Sequence, residues 1–417
     1  MRITRRQILR MLAGTTLIAA GGRRGWTATE KDPIRVGFLV PFTGPFAQSG
    51  KDMWDGFRLY FEEIGMRAGG RRIELISEDT WVEPAGALTK LRKLAERDRV
   101  HVAAGGLLAA TGLALQPYVL SQRLPFIVTN AADDITQRKI IPWYIRTHYS
   151  CSQVTHPLGH YANATLGYRR VAGLNFDYAF GHETFGGFQR AFEEMGGKVV
   201  QKLWAPIATT DFAPYLPLLK RDVDAIFSSI LGAPALRLLK QLAEYGIKGK
   251  IAIVGHGVLT DEALLPSMGD EGLGVVTALN YSTALNTPAN RAFLAAFEKA
   301  TGRSPSAFSA YTYSAARWMA EGMKAVGGDV EDKDRFLAAL KKVSLQDDPR
   351  GPIQIDQYGS PIQNIYIRKV EQVGGRLRNT VVHTYPNVGQ FWTYKPEEFL
   401  KNPVYDRDKF PGCRYCE

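Results

Sequence analysis

The sequence predicts an α/β protein made of two doubly wound units. Three observations carry this reading. Short β-rich runs alternate with amphipathic stretches whose apolar residues recur at spacings of three and four. The alternation runs through two successive series of similar rhythm. The chain has 417 residues, more than one hydrophobic core usually holds, so two domains are the natural expectation.

The first series opens with the strand "IRVGFLV" (34–40), the loop "PFTGPFAQSG" and a helix carrying Met53, Phe57, Tyr60, Phe61 and Ile64 at helical spacing. "RRIELISED" reads as a strand, and "PAGALTKLRKLAER" as a helix with Pro84 in its first turn. "VHVAAG" (strand), "GLALQPYVLSQ" (helix) and "LPFIVTN" (strand) follow. This order implies a parallel sheet with helices on both faces. A second series begins after "WYIRTHYS", with strands at "RRVAGLNFD", "KVVQKLWA", "VDAIFSSI", "KIAIVGH" and "GVVTALN". Helices are expected between them near 183–195, 213–220, 234–245 and 261–267. Three consecutive helices come next, within 287–343, then the β-like segments "GPIQID", "QNIYIRKV" and "TVVHTYP". The last twenty-five or so residues, with Pro396, Pro403 and Pro411, read as an extended tail.

Near the start, Thr4-Arg5-Arg6-Gln7-Ile8-Leu9-Arg10 precedes a short apolar run and resembles the bacterial twin-arginine export signal. The run is too short to span a bilayer, which takes roughly 20 residues, and it fits a cleaved leader. Residues 1–28 are read as that leader and the mature protein as soluble and periplasmic. The leader holds six arginines and no acid, so the formal charge of +11 falls to 46 basic against 41 acidic residues in the remainder. That balance, without a basic run interleaved with aromatics, excludes a nucleic-acid footprint. Of the three cysteines, Cys413 and Cys416 read as a local disulfide or as free thiols; two partners at zinc spacing are missing.

Catalytic signatures are absent. There is no phosphate-binding G-x-x-x-x-G-K-[ST], no G-x-S-x-G elbow, no H-E-x-x-H and no G-x-G-x-x-G after a strand. We expect a binder rather than an enzyme, with no cofactor and no metal. In open α/β sheets ligands bind at the carboxyl ends of strands. The loops to inspect are therefore 43–50, 105–111, 129–134, 177–181, 228–232 and 255–260.

Five segments in order then resemble the periplasmic Leu/Ile/Val-binding proteins of ABC importers: "IRVGFLVPFTGPFAQSGKDMWDGFRLYFEEI", "GGLLAATGLALQPYVLSQRLPFIVTNAA", "WYIRTHYS", "NFDYAFGHETFGGFQRAFEEMGGKVV" and "YTYSAARWMAEGMKAVG". The resemblance covers about residues 33–370. It implies the type I periplasmic binding fold, two Rossmann-like domains joined by three hinge crossovers. The first lobe is expected at 30–147 plus 281–347, the second at 148–280 plus 348–417. It further implies a monomer that closes on a small molecule and is recognised by a membrane permease.

The departures from the family bear on the ligand. Amino-acid-binding members hold the α-carboxylate and α-ammonium with a hydroxyl-bearing loop; the aligned stretch is Thr129-Asn130-Ala131-Ala132-Asp133, so Asp133 stands in for the hydroxyl. The serine-bearing loop before it is Leu107-Leu108-Ala109-Ala110-Thr111, the tyrosine before Gly-x-Gly is Phe180, and the loop that usually offers an acid is Gly255-His256-Gly257. An unpaired buried ammonium is costly, so these changes point to a flat apolar ligand with one polar end, an aromatic carboxylate ahead of a branched-chain amino acid. An arginine, His256 or helix N–H groups would hold the carboxylate. Expected ligand-binding residues are Ala109, Ala110, Ala131, Asp133, Phe180, His256, Tyr281 and Trp81. Asp133 would repel a carboxylate; it accepts from a ring hydroxyl or an ammonium, or else caps the following helix. Trp81 walls the cleft or packs structurally, Tyr281 sits near the return crossover, and Arg146 reads as hinge structure. The rival readings are a branched-chain amino acid, amide or urea binder of the same fold, and an exported α/β enzyme.

Overall fold

The computed structural model describes residues 31–81 and 83–416. The expected leader, 1–28, lies outside them.

Strand β1 (Ile34–Val40) is buried along nearly its whole length, as a parallel strand covered on both faces must be. Helix α1 (Ala47–Glu63) follows. It buries Met53, Phe57 and Phe61 at helical spacing, and Phe57 stacks on Phe38 with ring centroids 4.3 Å apart. Next come β2 (Arg67–Ala68), β3 (Arg71–Asp79), α2 (Pro84–Arg92), β4 (Val102–Gly105), α3 (Ala109–Gln122), β5 (Phe126–Val128) and β6 (Tyr144–Arg146). The strands form one sheet in the order β2-β3-β1-β4-β5-β6, parallel except for the short β2.

The chain then crosses to a second sheet. Helix α4 (Cys151–Ala164) starts at a capping box made by Ser150 and Gln153. It is followed by β7 (Arg170–Phe176), α5 (Ala179–Glu194), β8 (Lys198–Ala205), β9 (Ala225–Ser228), α6 (Ala233–Glu244), β10 (Ala252–His256) and β11 (Val276–Leu279). A second crossing carries α7 (Pro288–Thr301), α8 (Ala307–Ala325) and α9 (Lys333–Leu340) back, with α7 and α8 packed on α1 and α9 on α8. A third crossing returns the chain to the second sheet as β12 (Ser344–Leu345), β13 (Ile353–Ile355), β14 (Pro361–Val373) and β15 (Arg376–Val388). Its order is β12-β13-β14-β11-β10-β9-β7-β8, with β15 paired to β14. The α/β part is parallel, and β14 joins it antiparallel through β11. The β14–β15 hairpin turns on Gly374-Gly375, both at positive φ, the backbone a two-residue hairpin turn requires.

Two expected helices are corrected. Residues 213–220 and 261–267 form only single 3-10 turns, Leu216–Leu218 and Leu265–Ser267. Pro214, Pro217 and Pro266 remove the N–H groups that a longer helix needs. The tail also holds more structure than an extended chain. It contains α10 (Pro396–Leu400), and Phe391, Phe399 and Tyr405 form a separate apolar cluster. This cluster covers α4 and α5: Tyr405 Oη lies 2.8 Å from His156 Nε2, and the Arg190 guanidinium sits 3.8 Å over the Tyr394 ring. Cys413 and Cys416 are joined as a disulfide, while Cys151 is a buried thiol.

Candidate ligand-binding site

Five of the six loops singled out in the sequence meet in one enclosed cavity at the carboxyl ends of both sheets. The first sheet supplies Leu107, Leu108 and Ala109 after β4, and Thr129 and Ala131 after β5; the second supplies Tyr178 and Phe180 after β7, Leu231 after β9 and Val258 after β10. His148 and Tyr149 enter from the first crossover, Phe308 and Tyr311 from the start of α8. The walls lie close together, leaving a cavity of only about 20 Å³.

The walls are aromatic. Tyr178 and Phe180 lie 6.0 Å apart between centroids, Phe180 meets His256 edge-on at 5.1 Å, and His256 lies 5.1 Å from Tyr149. His148 stacks on Tyr149 at 3.9 Å and meets Tyr311 at 4.6 Å, and Phe308 is 5.5 Å from Tyr311. Both histidines are neutral at ordinary pH. Burial, then the Arg368 charge, pushes His256 down to about 3. Burial, then Arg146, Arg350 and His256, holds His148 well below its usual value.

The lining also carries polar groups without partners, among them Tyr311 Oη. Helix α3 starts at the cavity wall with Leu108 at its N-cap and no side-chain cap. The first backbone N–H groups of a helix have no intrahelical partner and favour negative charge. Beside them, Thr129 is fully buried and its Oγ1 makes no hydrogen bond. His148 Nδ1 is likewise buried and unpartnered.

Of the residues expected to bind ligand, Ala109, Ala131 and Phe180 line the cavity, and His256 stands between Phe180 and Tyr149. Ala110 is exposed on α3. Tyr281 is fully buried against Phe293, off the cavity. Trp81 is 47 % exposed, held at a positive φ where Asp79 Oδ1 accepts its backbone N–H. Asp133 is buried, and its Oδ1 accepts the backbone N–H of Ser152 in the first turn of α4, 3.1 Å away, so it caps a helix of the other sheet. Burial raises its carboxyl to about 6, partly offset by Ser152 and Arg146. Of the arginines near the cleft, Arg350 and Arg368 are engaged within the protein, while Arg146 uses one nitrogen and leaves Nε and Nη1 buried without a partner. Arg146 donates to Ala132 O, Arg350 to Thr147 O (2.8 Å) and Asp348, and Arg368 to Gly257 O (2.7 Å) and Glu262.

Asp133, Cys151 and Glu183 place possible metal-ligand atoms within 4.8 Å of one another. They sit where the two sheets join, and Glu183 Oε2 accepts the Asp133 N–H at 2.8 Å. Arg146 supplies there the positive charge that an ion would bring.

Sequence reasoning reached Tyr178, Leu231 and Val258 only as members of the loops to inspect, named His148 and Tyr149 only as part of a crossover, and missed Phe308 and Tyr311 as site residues. Tyr178 could have been found from its place beside Phe180 at the end of β7; α8 is buried on nearly all sides, so its periodicity does not mark a cavity face.

A cavity between two doubly wound sheets, reached from strand ends and flanked by three crossings, matches what comparison with known proteins finds. The model of a family described as periplasmic binding protein matches residues 33–375. The chain belongs to the periplasmic binding proteins. The Leu/Ile/Val-binding protein homolog 6 of Brucella melitensis is 30 % identical over 371 residues, 87 % of this chain and 94 % of that one. Among solved structures, an ABC-transporter solute-binding protein of Rhodopseudomonas palustris BisB5 in complex with 3,4-dihydroxybenzoic acid is 35 % identical, with a TM-score of 0.82, covering 86 % of this chain and 99 % of its own. Another, from R. palustris in complex with benzoate, is 28 % identical, with a TM-score of 0.80, covering 86 % and 98 %. The family's members are solute-binding proteins, and this binding protein has their type I fold. Among its described residues no helix is long and apolar enough to cross a membrane.

Proposed function

We propose that this periplasmic binding protein is the extracytoplasmic solute-binding component of an ABC importer, and that its ligand is an aromatic carboxylate. The observation that carries this is the cavity's chemistry: aromatic walls with neutral histidines and, among its polar groups, the uncapped start of α3 and the unpartnered Thr129 hydroxyl. A benzoate-type ring matches the chemistry of such walls once the lobes part to admit it, and its carboxylate matches the helix terminus. An amino acid would bring an ammonium to a cavity whose lining includes no carboxylate. The two Rhodopseudomonas proteins, whose ligands are benzoate-type acids, support the same choice.

The ligand enters as two lobes part, 30–147 plus 281–347 and 148–280 plus 348–417 with β12 pairing into the second sheet, and is held when they close. No bond is made or broken; the closed monomer hands its ligand to a membrane permease. Residues 1–28 direct export through the twin-arginine route, and export is tested by periplasmic fractionation of the wild type and an Arg5→Lys/Arg6→Lys variant. The ligand reading is tested by calorimetry and thermal shift with benzoate, hydroxybenzoates, cinnamates, leucine, valine, acetamide and urea. A ligand at 100 times its Kd adds about 2.7 kcal/mol of stability. Binding of aromatic acids alone is the expected result; binding of leucine or valine alone would replace this reading with amino-acid capture.

A further inference from the structure

We propose that His256 donates a hydrogen bond to an oxygen on the ligand's ring, away from the carboxylate, and so selects hydroxylated aromatic acids over plain ones. The proposal rests on the aromatic-acid reading above. His256 Nδ1 accepts the backbone N–H of Val258 at 3.3 Å. A neutral imidazole carries one hydrogen, so that contact places it on Nε2. Nε2 is buried and has no hydrogen-bond partner. The ring stands between Phe180 and Tyr149, both on the cavity wall. A buried donor without a partner is a cost that a ligand oxygen removes.

The oxygen is not the carboxylate's. The start of α3 and Thr129 belong to the loops of the first sheet, while His256 ends β10 in the second. A small rigid acid with its charge at α3 presents its far ring edge to the second sheet. Ring oxygen and carboxylate are then gripped from opposite lobes, and the hydroxylated ligand holds the closed form by both ends.

The test titrates wild type, His256→Phe and His256→Gln with benzoate, 3-hydroxybenzoate and 4-hydroxybenzoate by calorimetry, and follows the histidine ring nitrogens by ¹⁵N NMR. In wild type, one hydroxybenzoate should bind about tenfold or more tighter than benzoate. His256→Phe should erase most of that advantage, so that benzoate and the hydroxybenzoate bind within about threefold of each other; His256→Gln, which keeps a donor, should retain part of it. The NMR signals should show the hydrogen on Nε2, shifting with the hydroxybenzoate and much less with benzoate. An unchanged ratio in His256→Phe, an equal loss for all three acids, or hydrogen on Nδ1 overturns the proposal; in the first case the N–H faces the Phe180 ring instead. If His256→Phe does not fold, the Gln variant and the wild-type spectra decide. Failure of wild type to bind any aromatic acid overturns the broader reading, and this one with it.

Discussion

Thr129→Val separates binding from stability at a single atom. Thr129 is fully buried, its backbone N–H is committed to Gly105 O at 3.0 Å, and its Oγ1 makes no hydrogen bond. Valine keeps the shape and removes only the hydroxyl. An unsatisfied buried polar group costs about 1–3 kcal/mol, so its removal should stabilise the unliganded protein by up to that amount. With an unfolding entropy of about 2.1 cal/mol/K per residue, a chain of this size melts about 1–4 °C higher for that gain. If the hydroxyl donates to the ligand's carboxylate, the lost charge-assisted bond is worth about 1.5–3 kcal/mol, or about 10–150-fold in Kd. Stability and affinity should thus move in opposite directions. Scanning calorimetry without ligand and titration calorimetry with the tightest aromatic acid measure both, and Thr129→Ser, which keeps the hydroxyl, is the control. A lower melting temperature in Thr129→Val would mean that the hydroxyl is bonded within the protein. An unchanged Kd would remove Thr129 from the carboxylate end.

Other perturbations test the framework. Asp261 accepts the N–H groups of Ala263 and Ala307, each at 3.1 Å, and burial, then Glu262 and Asp52, raises its carboxyl to about 8. The folded protein therefore keeps a proton that the unfolded chain releases, and stability should fall as pH climbs from about 4 to about 8, by at most about 1.4 kcal/mol per pH unit; urea unfolding across that range should show a shallower slope for Asp261→Asn, and identical slopes would contradict the assignment. A Cβ on Gly159 would lie 2.3 Å from Phe188 O, so Gly159→Ala must push α4 from α5 and should lower stability by about 2 kcal/mol or more in a denaturant titration. Tyr405→Ala removes the His156 contact and a ring stacked on Phe410 at 5.4 Å; limited proteolysis should then cut the tail, near 389–416, before the body, and equal protection would show that the aromatic cluster does not hold it.

The elements were legible because their periods are strong. The β1 run and the Met53/Phe57/Phe61 spacing of α1 each have one reading. Loop positions at strand ends were legible too, which is how Ala109, Ala131 and Phe180 could be named. What failed was anything decided by partners distant in sequence. Asp133 reads as a site residue until its carboxylate is seen on the Ser152 N–H, nineteen residues away. Phe308 and Tyr311 lie on a helix buried nearly all round, where a cavity wall and a core have the same period. The two overcalled helices failed for a local reason: Pro214, Pro217 and Pro266 were visible and outweigh the apolar spacing around them.

The acids near the cleft explain why its walls can be neutral. Asp133 serves the Ser152 N–H, Glu183 serves the Asp133 N–H, and Asp261 serves the Ala307 N–H. Each contact joins a segment of one sheet's layer to a segment of the other's, so these acids tie the two layers together rather than act on the charge of the ligand. Burial raises all three acids, so retained protons together with backbone donors do what a nearby ammonium would otherwise have done. The loop Gly255-His256-Gly257 brings no acid to the cavity but an imidazole whose Nε2 has no partner, while the start of α3 favours an anion. A ligand that is negative at one end and carries a neutral oxygen at the other meets both needs, whereas a zwitterion meets only the first.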